Sequence, residues 1–587
     1  MSSRELNRNQ VLIVLVIALF TGLALCCCGW LGFRLLSSSR RGQEAVEPQE
    51  LSTLTIAYSP EKEETFVRLV SSFNAQVANR LSTQNAGQSP GSDIRSAERA
   101  STKLGEVSRR SLNIVAVLYE PDLMIEAALD GKVQAISPDS SIWLDTLDRE
   151  WAARTGRESP LVGQTVRYAV SPIVIAMWED VARSMGYPDK PLGWSDLLER
   201  ARSDPGFKWS HPSTTSAAGL LATLAEFYAG VGKTRGLTEA DAQRQATLDY
   251  VAAIEKTVRY YGEGEWSVIQ RVLSEGRSYL DAFVCQEQLV VYHNARTSGE
   301  RLVAVYPVEG TLWEDHPLAL LEAEGLTDEQ RATFSRFVEF IKSYDTQLEI
   351  LNSGYRPTDL GIPLNAPGSP LTPANGVDPT QPKTALQMPS PSVVQVVRDV
   401  WWYTKRHTNV YLVVDVSGSM EGSKLRNAQQ ALRVFMDQVQ GDMERVGLIV
   451  FSSGPKEVVP LDELKRSRAH VIQSIDGLEA EGDTALLDAV DLAYARLQSL
   501  ADTERINAIV VMTDGRENNS RVRLGTLIRR IMHGNETRVP VVIFCIGYGT
   551  DADEGTLRSL AESSGGQYHT GDLDTIRRLY KILSSYF

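Results

Sequence analysis

Four nearly uninterrupted Val and Ile runs constrain this chain more than any other feature: YLVVDV from Tyr411, RVGLIVF from Arg445, NAIVVMT from Asn507 and VPVVIFCIGY from Val539. A strand with one face in water alternates apolar and polar residues, and these do not. Both faces must therefore be covered, as in a parallel sheet with helices on either side. Helical patterns from Lys424 to Val439 and from Thr484 to Leu500 supply the crossovers. EVVPL reads as a short edge strand, and Leu557 to Ala561 and Leu573 to Leu583 close the segment with helical periodicity. The expected fold class is α/β, with a doubly wound, mostly parallel sheet at the C-terminus.

At 587 residues the chain exceeds one core, so further domains are expected upstream. LSTLTIAYSP, Leu51 to Pro60, reads as a strand leading into a helix that sets Phe66, Leu69, Val70 and Phe73 on one face. Ser82 to Arg99 is rich in Ser, Gly, Asn and Gln and reads as a loop. From Leu112 to Leu364 short apolar strands again alternate with amphipathic helices. A stretch with seven prolines then begins at Ala366 and reads as an extended, semi-stiff linker that argues against a rigid relay between its neighbours. The expected divisions are 1–10, an apolar run 11–33, a polar tether 34–50, a first domain 51–365, the linker 366–393 and a last domain 394–587.

Val11 to Phe33 carries no charge and, at ~1.5 Å per helical residue, is long enough to cross a bilayer. It exceeds the ~7–15 apolar residues of a signal peptide and no A-x-A site follows, which favours an uncleaved, single-pass anchor. Arg4 and Arg8 before it and Arg34, Arg40 and Arg41 after it leave orientation open. Three of the five cysteines, Cys26 to Cys28, lie in this run; Cys285 and Cys545 are too few for a disulfide framework or a zinc site. EKEE, Glu61 to Glu64, reads as a solvated helix face. Tyr261, Trp266, Trp313 and Trp401–Trp402 read as core or interface aromatics. The formal net charge of −14 argues against nucleic-acid binding, which needs a basic face.

Sites in doubly wound sheets form outside the carboxyl ends of strands. Asp415, Ser417 and Ser419 follow the first strand of the last domain, Asp514 and Gly515 follow NAIVVMT, and Thr484 opens a helix after a glycine loop. An all-oxygen set suits a hard cation such as Mg²⁺, and neutral hydroxyl ligands would leave it open to a carboxylate from a partner. The plainer alternative is that these residues cap the following helices. A catalytic serine would need a histidine base; His407, His470, His533 and His569 sit in no motif that pairs with Ser417, and G-x-S-x-G is absent here, so no enzyme activity is expected.

D-x-S-G-S, a threonine beside a glycine loop and T-D-G together resemble the metal-ion-dependent adhesion site of von Willebrand factor type A domains, over Asn409 to Phe587. The resemblance implies a Rossmann-like sheet, Ser417, Ser419 and Thr484 as direct metal ligands, and Asp415 and Asp514 as near or water-mediated ones. Mg²⁺ is the implied ion, with Mn²⁺ or Ca²⁺ as alternatives. The usual Gly-Gly-Thr is here Gly482-Asp483-Thr484, which adds a carboxylate.

Thr53 to Leu364 resembles extracellular solute-binding proteins of the two-lobed periplasmic-binding type, through LTIAYSPEKEETFVRLVSSFN, AISPDSSIW, KWSHPSTTSAAGLLATLAEFY and NSGYRP. SPDSS and HPSTTSAAG set hydroxyls before apolar helical runs, and free N–H groups at helix starts attract anions. Ser59, Ser140, Ser141, Thr214, Thr215 and Ser216 are the candidates for a small polar or anionic solute, with helix capping an equal alternative. QEQ, Gln286 to Gln288, either reaches that cleft or flanks a strand.

The expected function is a membrane-anchored extracytoplasmic binding protein of a bacterial cell envelope, in which the last domain engages a protein carboxylate through Mg²⁺ and the first senses or holds a small solute. The alternatives are the substrate-binding component of an ABC-type transporter and a partner of an AAA-type ATPase.

Overall fold

A computed structural model describes residues 53–86, 113–262, 264–439, 441–549 and 551–571. The apolar run Val11 to Phe33, the tether and the closing helical pattern Leu573 to Leu583 lie outside the described residues. Among the described residues no helix is long and apolar enough to cross a membrane.

The first domain carries β1 (Thr53–Tyr58), β2 (Asn113–Leu118), β3 (Ala135–Ser137), β4 (Val162–Arg167), β5 (Ala169–Trp178), β6 (Trp209–Ser210), β7 (Ala282–Gln286), β8 (Leu302–Val305), β9 (Trp313–Glu314), β10 (Pro317–Leu321) and β11 (Arg356–Pro357). They form two sheets. One runs β2-β1-β3-β10-β4, and the other runs β11-β5-β7-β6 with β8 and β9 also paired to β5. The chain passes between the lobes at Tyr168, at Asp315–His316 and again before β11, which gives the two-lobed α/β architecture. The helix Glu63–Ala86 buries Phe66, Leu69, Val70 and Phe73 against the first sheet, as their spacing predicts. It continues past Ser82, where a loop was expected.

Glu61 and Lys62 correct one reading. The run EKEE was expected on a solvated face, but Glu61 and Lys62 form a short 3-10 turn at the lobe junction and are buried. Only Glu63 and Glu64 are exposed. Charge composition alone misses this because the chain reaches the helix through an interior turn.

The last domain carries β12 (Thr408–Asp415), β13 (Arg445–Phe451), β14 (Pro455–Glu463), β15 (Ile506–Thr513), β16 (Val541–Tyr548) and β17 (Tyr568–Gly571), ordered β14-β13-β12-β15-β16-β17. All neighbours are parallel except β14, the antiparallel edge. The uniform burial of β12 and β15 matches their uninterrupted apolar sequences. The helices Leu464–Asp476 and Leu524–Thr537 and the strand β17 were not anticipated.

The proline-rich stretch is no free tether. Leu371, Val377 and Leu386 are buried, Ala304 N donates to Gly376 O at 2.8 Å, and Tyr228 Oη donates to Gln387 O at 2.6 Å. Proline favours an extended backbone, but the aliphatic residues between the prolines find apolar seats on the second lobe. The helix Pro391–Thr404 follows, burying Val393, Val394, Val397 and Trp401. One apolar core runs unbroken from Trp209 and Leu221 through Val397 and Trp401 to Val410 and Leu412. The two domains share it, contrary to the expectation drawn from proline content.

Candidate functional site

Parallel pairing of β12 with β15, Val414 opposite Met512, brings two loops to one crest of the sheet. The sheet order reverses there: β13 lies on one side of β12 and β15 on the other. Crevices at such switch points are where doubly wound sheets bind ligands.

Asp415, fully buried at the end of β12, accepts from Ser417 N at 2.8 Å and from the Thr513 hydroxyl of the neighbouring strand. Burial raises its carboxyl above the usual range, against these donors, which pull it down. The Ser417 and Ser419 hydroxyls lie 3.1 Å apart, and Ser419 Oγ donates to Asp514 Oδ1 at 2.6 Å. Thr484 is delivered by a third loop. Its N–H donates to Asn518 Oδ1 at 2.9 Å, and its carbonyl accepts from Asn518 N and Asn519 N at 3.1 and 3.2 Å. Gly418 N donates to Gly482 O at 3.0 Å, which ties this loop to the first. A methyl group on Gly515 would sit 3.4 Å from Thr484 Oγ1 and 3.5 Å from Ser419 Oγ, so the two hydroxyls converge over that glycine.

The five residues Asp415, Ser417, Ser419, Thr484 and Asp514 are thus gathered at one place. Three hydroxyls and two carboxylates form an all-oxygen donor set, which fits a hard divalent cation and not a thiophilic one. Ser419 is exposed, so the set opens to solvent. Asp483, the departure from the usual glycine, is exposed beside it.

Lys424 was missed by the sequence reading. It lies in the first turn of the helix Ser423–Gln438 and donates its ammonium to Asp514 Oδ2. Thr513 and Asn518 were missed as well. Only the adjacency of Thr513 to Asp514 in T-D-G offered a signal.

The cleft candidates fare differently. Ser59 Oγ donates to Glu61 Oε1 at 2.7 Å. Ser140 Oγ accepts from Ile142 N at 3.4 Å, and Ser141 N donates to Asp315 Oδ1 at 2.7 Å. Ser216 caps the helix Ala217–Val231, accepting from Gly219 N at 3.2 Å and donating to Ser213 O at 3.1 Å. Thr214 is buried and Thr215 exposed. Ser216 thus caps its helix, whereas Ser59 bonds a neighbouring carboxylate and caps nothing through its side chain.

The lobe junction itself is acidic. Glu61, Asp139, Glu265 and Glu314 are all buried near it, against Lys62 and His316. Gln286 reaches the junction, donating from Nε2 to Glu265 Oε1 at 2.6 Å while His316 Nε2 lies 3.1 Å from its Oε1. Burial, then Glu61, pushes Asp139 up to about 7 and Glu265 up to about 8. Burial, then Glu265, holds Glu314 well above the carboxylate range. His316 stays well below its usual value through burial and Lys62. It adopts φ 32°, a left-handed conformation that costs a non-glycine residue energy. Three of the four carboxyls are thus held toward the protonated form, so the junction carries less negative charge than its composition alone suggests.

Residues 409–581 match the family model for the von Willebrand factor type A domain. The last domain is a von Willebrand factor type A domain. Residues 110–356 match the model for bacterial extracellular solute-binding proteins. Curated relatives of the type A domain include an uncharacterised protein of Synechocystis, 26% identical over 30% of this chain and 42% of its own length. Another is human inter-alpha-trypsin inhibitor heavy chain H4, 30% identical over 27% of this chain and 17% of its own. The chain therefore spans less than half the length of these relatives. Among solved structures, a von Willebrand factor type A protein from Catenulispora acidiphila aligns over 31% of this chain and 43% of its own at 24% identity, TM-score 0.28. The periplasmic binding protein P5PA aligns over 60% of this chain and 99% of its own at 13% identity, TM-score 0.38. The chain thus joins a type A domain to a segment that matches bacterial extracellular solute-binding proteins.

Proposed function

We propose that the type A domain holds Mg²⁺ at its crest and uses it to engage a carboxylate of a protein partner outside the cytoplasm. The observation that carries this is the convergence of Ser419, Thr484 and Asp514 over Gly515, next to Asp415 and Ser417. Ser417, Ser419 and Thr484 would hold the ion directly, and Asp415 and Asp514 would orient and neutralise around it. Bound there, the ion supplies a Lewis-acidic position for an incoming oxygen. Asp415, pinned by Ser417 N and Thr513, keeps the first loop in place, while Lys424 tempers the charge of Asp514.

The solute-binding domain supplies a second interaction, with a small solute. Its lobe junction, where buried carboxyls are held toward the protonated form beside Lys62, offers both hydrogen-bond donors and acceptors to a small polar or anionic solute. Anchoring by Val11 to Phe33 would hold both domains at the outer face of a membrane.

Isothermal titration of the full-length chain in detergent tests the metal reading. Mg²⁺ binding that is lost on Ser419→Ala or Thr484→Ala supports it, and binding unchanged by both overturns it. Capture of envelope proteins that survives EDTA would separately exclude a metal-mediated contact.

A further inference from the structure

Far from that crest, His211, Glu226 and Glu255 form a second gathering of ligand-type side chains, all fully buried. His211 follows β6, Glu226 lies within the helix Ala217–Val231, and Glu255 ends the helix Gln245–Glu255. Their ligand atoms lie within 4.8 Å of one another.

The hydrogen-bond pattern leaves Glu226 without a partner of its own. His211 Nδ1 lies 2.8 Å from Pro212 O, an acceptor only, so Nδ1 carries the proton. Nε2 then faces Glu255 Oε2 at 3.2 Å and Glu226 Oε1 at 4.0 Å. Neither oxygen of Glu226 has a hydrogen-bond partner, although the residue is fully buried and is the one charged residue of its helix. A buried carboxyl without a partner is costly, and such groups need a counter-charge or a function. Glu255 is held in place from outside: Tyr261 Oη donates to Oε2 at 2.6 Å and Trp401 Nε1 to Oε1 at 2.7 Å. A carbonyl that fixes a histidine tautomer, with donors that orient a carboxylate, is the outer shell found around metal ligands.

We propose that His211, Glu226 and Glu255 bind a divalent first-row transition ion, with Zn²⁺ the simplest occupant. Tetrahedral ligands ~2.0–2.2 Å from Zn²⁺ lie roughly 3.3–3.6 Å apart. The 3.2 and 4.0 Å separations bracket that range. One imidazole and two carboxylates suit such an ion better than Mg²⁺, and two carboxylates balance its charge. Tyr261 Oη also accepts from Arg406 N at 2.8 Å, so the ion's outer shell reaches the residues that lead into the type A domain. The ion would stiffen the joint between the two domains.

The site is enclosed, so loading belongs to folding. The test therefore supplies Co²⁺ during expression of the full-length chain, with the crest silenced by Ser419→Ala and Thr484→Ala. Elemental analysis of the purified chain should find one Co²⁺ or Zn²⁺ per chain, and Co²⁺ should show a ligand-field band. Adding Glu226→Gln, which keeps the shape of the side chain, should abolish both while circular dichroism stays unchanged. His211→Gln provides a second variant. Absence of stoichiometric metal in the folded, crest-silenced chain overturns the proposal and leaves Glu226 a protonated buried carboxyl; so does metal content that Glu226→Gln and His211→Gln leave unchanged. Because the crest is silenced throughout, neither result bears on the Mg²⁺ reading.

Discussion

Lys424 of the type A domain donates its ammonium to Asp514, the carboxylate whose other oxygen accepts from Ser419 at 2.6 Å. A fixed positive charge therefore sits against the group that would neutralise a bound cation. Lys424→Met should tighten Mg²⁺ binding by about tenfold or more, because a like charge a few ångströms from the ion is removed. Titration of Mg²⁺ into both chains at one ionic strength measures it; equal affinities would show that the ammonium swings clear when the ion binds.

Gly515 keeps the crest open. A methyl group there lies within 3.5 Å of both the Thr484 and Ser419 hydroxyls. Gly515→Ala should weaken Mg²⁺ binding while changing unfolding free energy little, since the crowded side faces the crest. Calorimetry and urea denaturation of the same preparation separate the two effects.

Trp401 Nε1 donates to Glu255 Oε1 across the boundary between the domains. Trp401→Phe keeps an aromatic ring but leaves that buried oxygen unsatisfied, which costs about 1–3 kcal/mol. Because one apolar core crosses the boundary, wild-type chains should unfold in a single transition. The variant should show a lower denaturation midpoint, read by urea titration.

The lobe junction predicts a pH dependence. Asp139 and Glu265 are raised to about 7 and about 8 in the folded chain, from ordinary values of 3.8 and 4.5. Between those limits the folded state holds more protons than the unfolded state, so this contribution to stability is fully present below about pH 4 and is lost as pH rises toward 8. Asp139→Asn keeps an oxygen for the bonds from Ser140 N and Trp143 Nε1 and removes the titration. It should flatten the decline in urea midpoint between pH 5 and pH 8.

The type A domain was legible because its evidence is local. Uninterrupted apolar runs fix a covered parallel sheet; the loops of Asp415, Ser417, Ser419 and Asp514 follow such runs directly, and Thr484 is marked by a glycine loop before a helical run. Lys424 was illegible for the opposite reason: its partner lies 90 positions away, and a lysine at a helix start looks like any solvated charge. The proline-rich stretch misled because composition reports backbone preference and not where Leu371, Val377 and Leu386 come to rest. Ser59 and Ser216 looked like ligands until their bonds to Glu61 and Gly219 placed them. His211, Glu226 and Glu255 carry no spacing signature at all, and only the packing of two helices behind β6 brings them together.

The most direct test of the central claim is Mg²⁺ titration of the full-length chain carrying Glu226→Gln, with and without Ser419→Ala. The account predicts one Mg²⁺ per chain in the first and loss of that binding in the second, with both chains folded. Mg²⁺ binding of equal affinity in the two would contradict it, because the ion would then lie somewhere other than the crest formed by Ser417, Ser419 and Thr484.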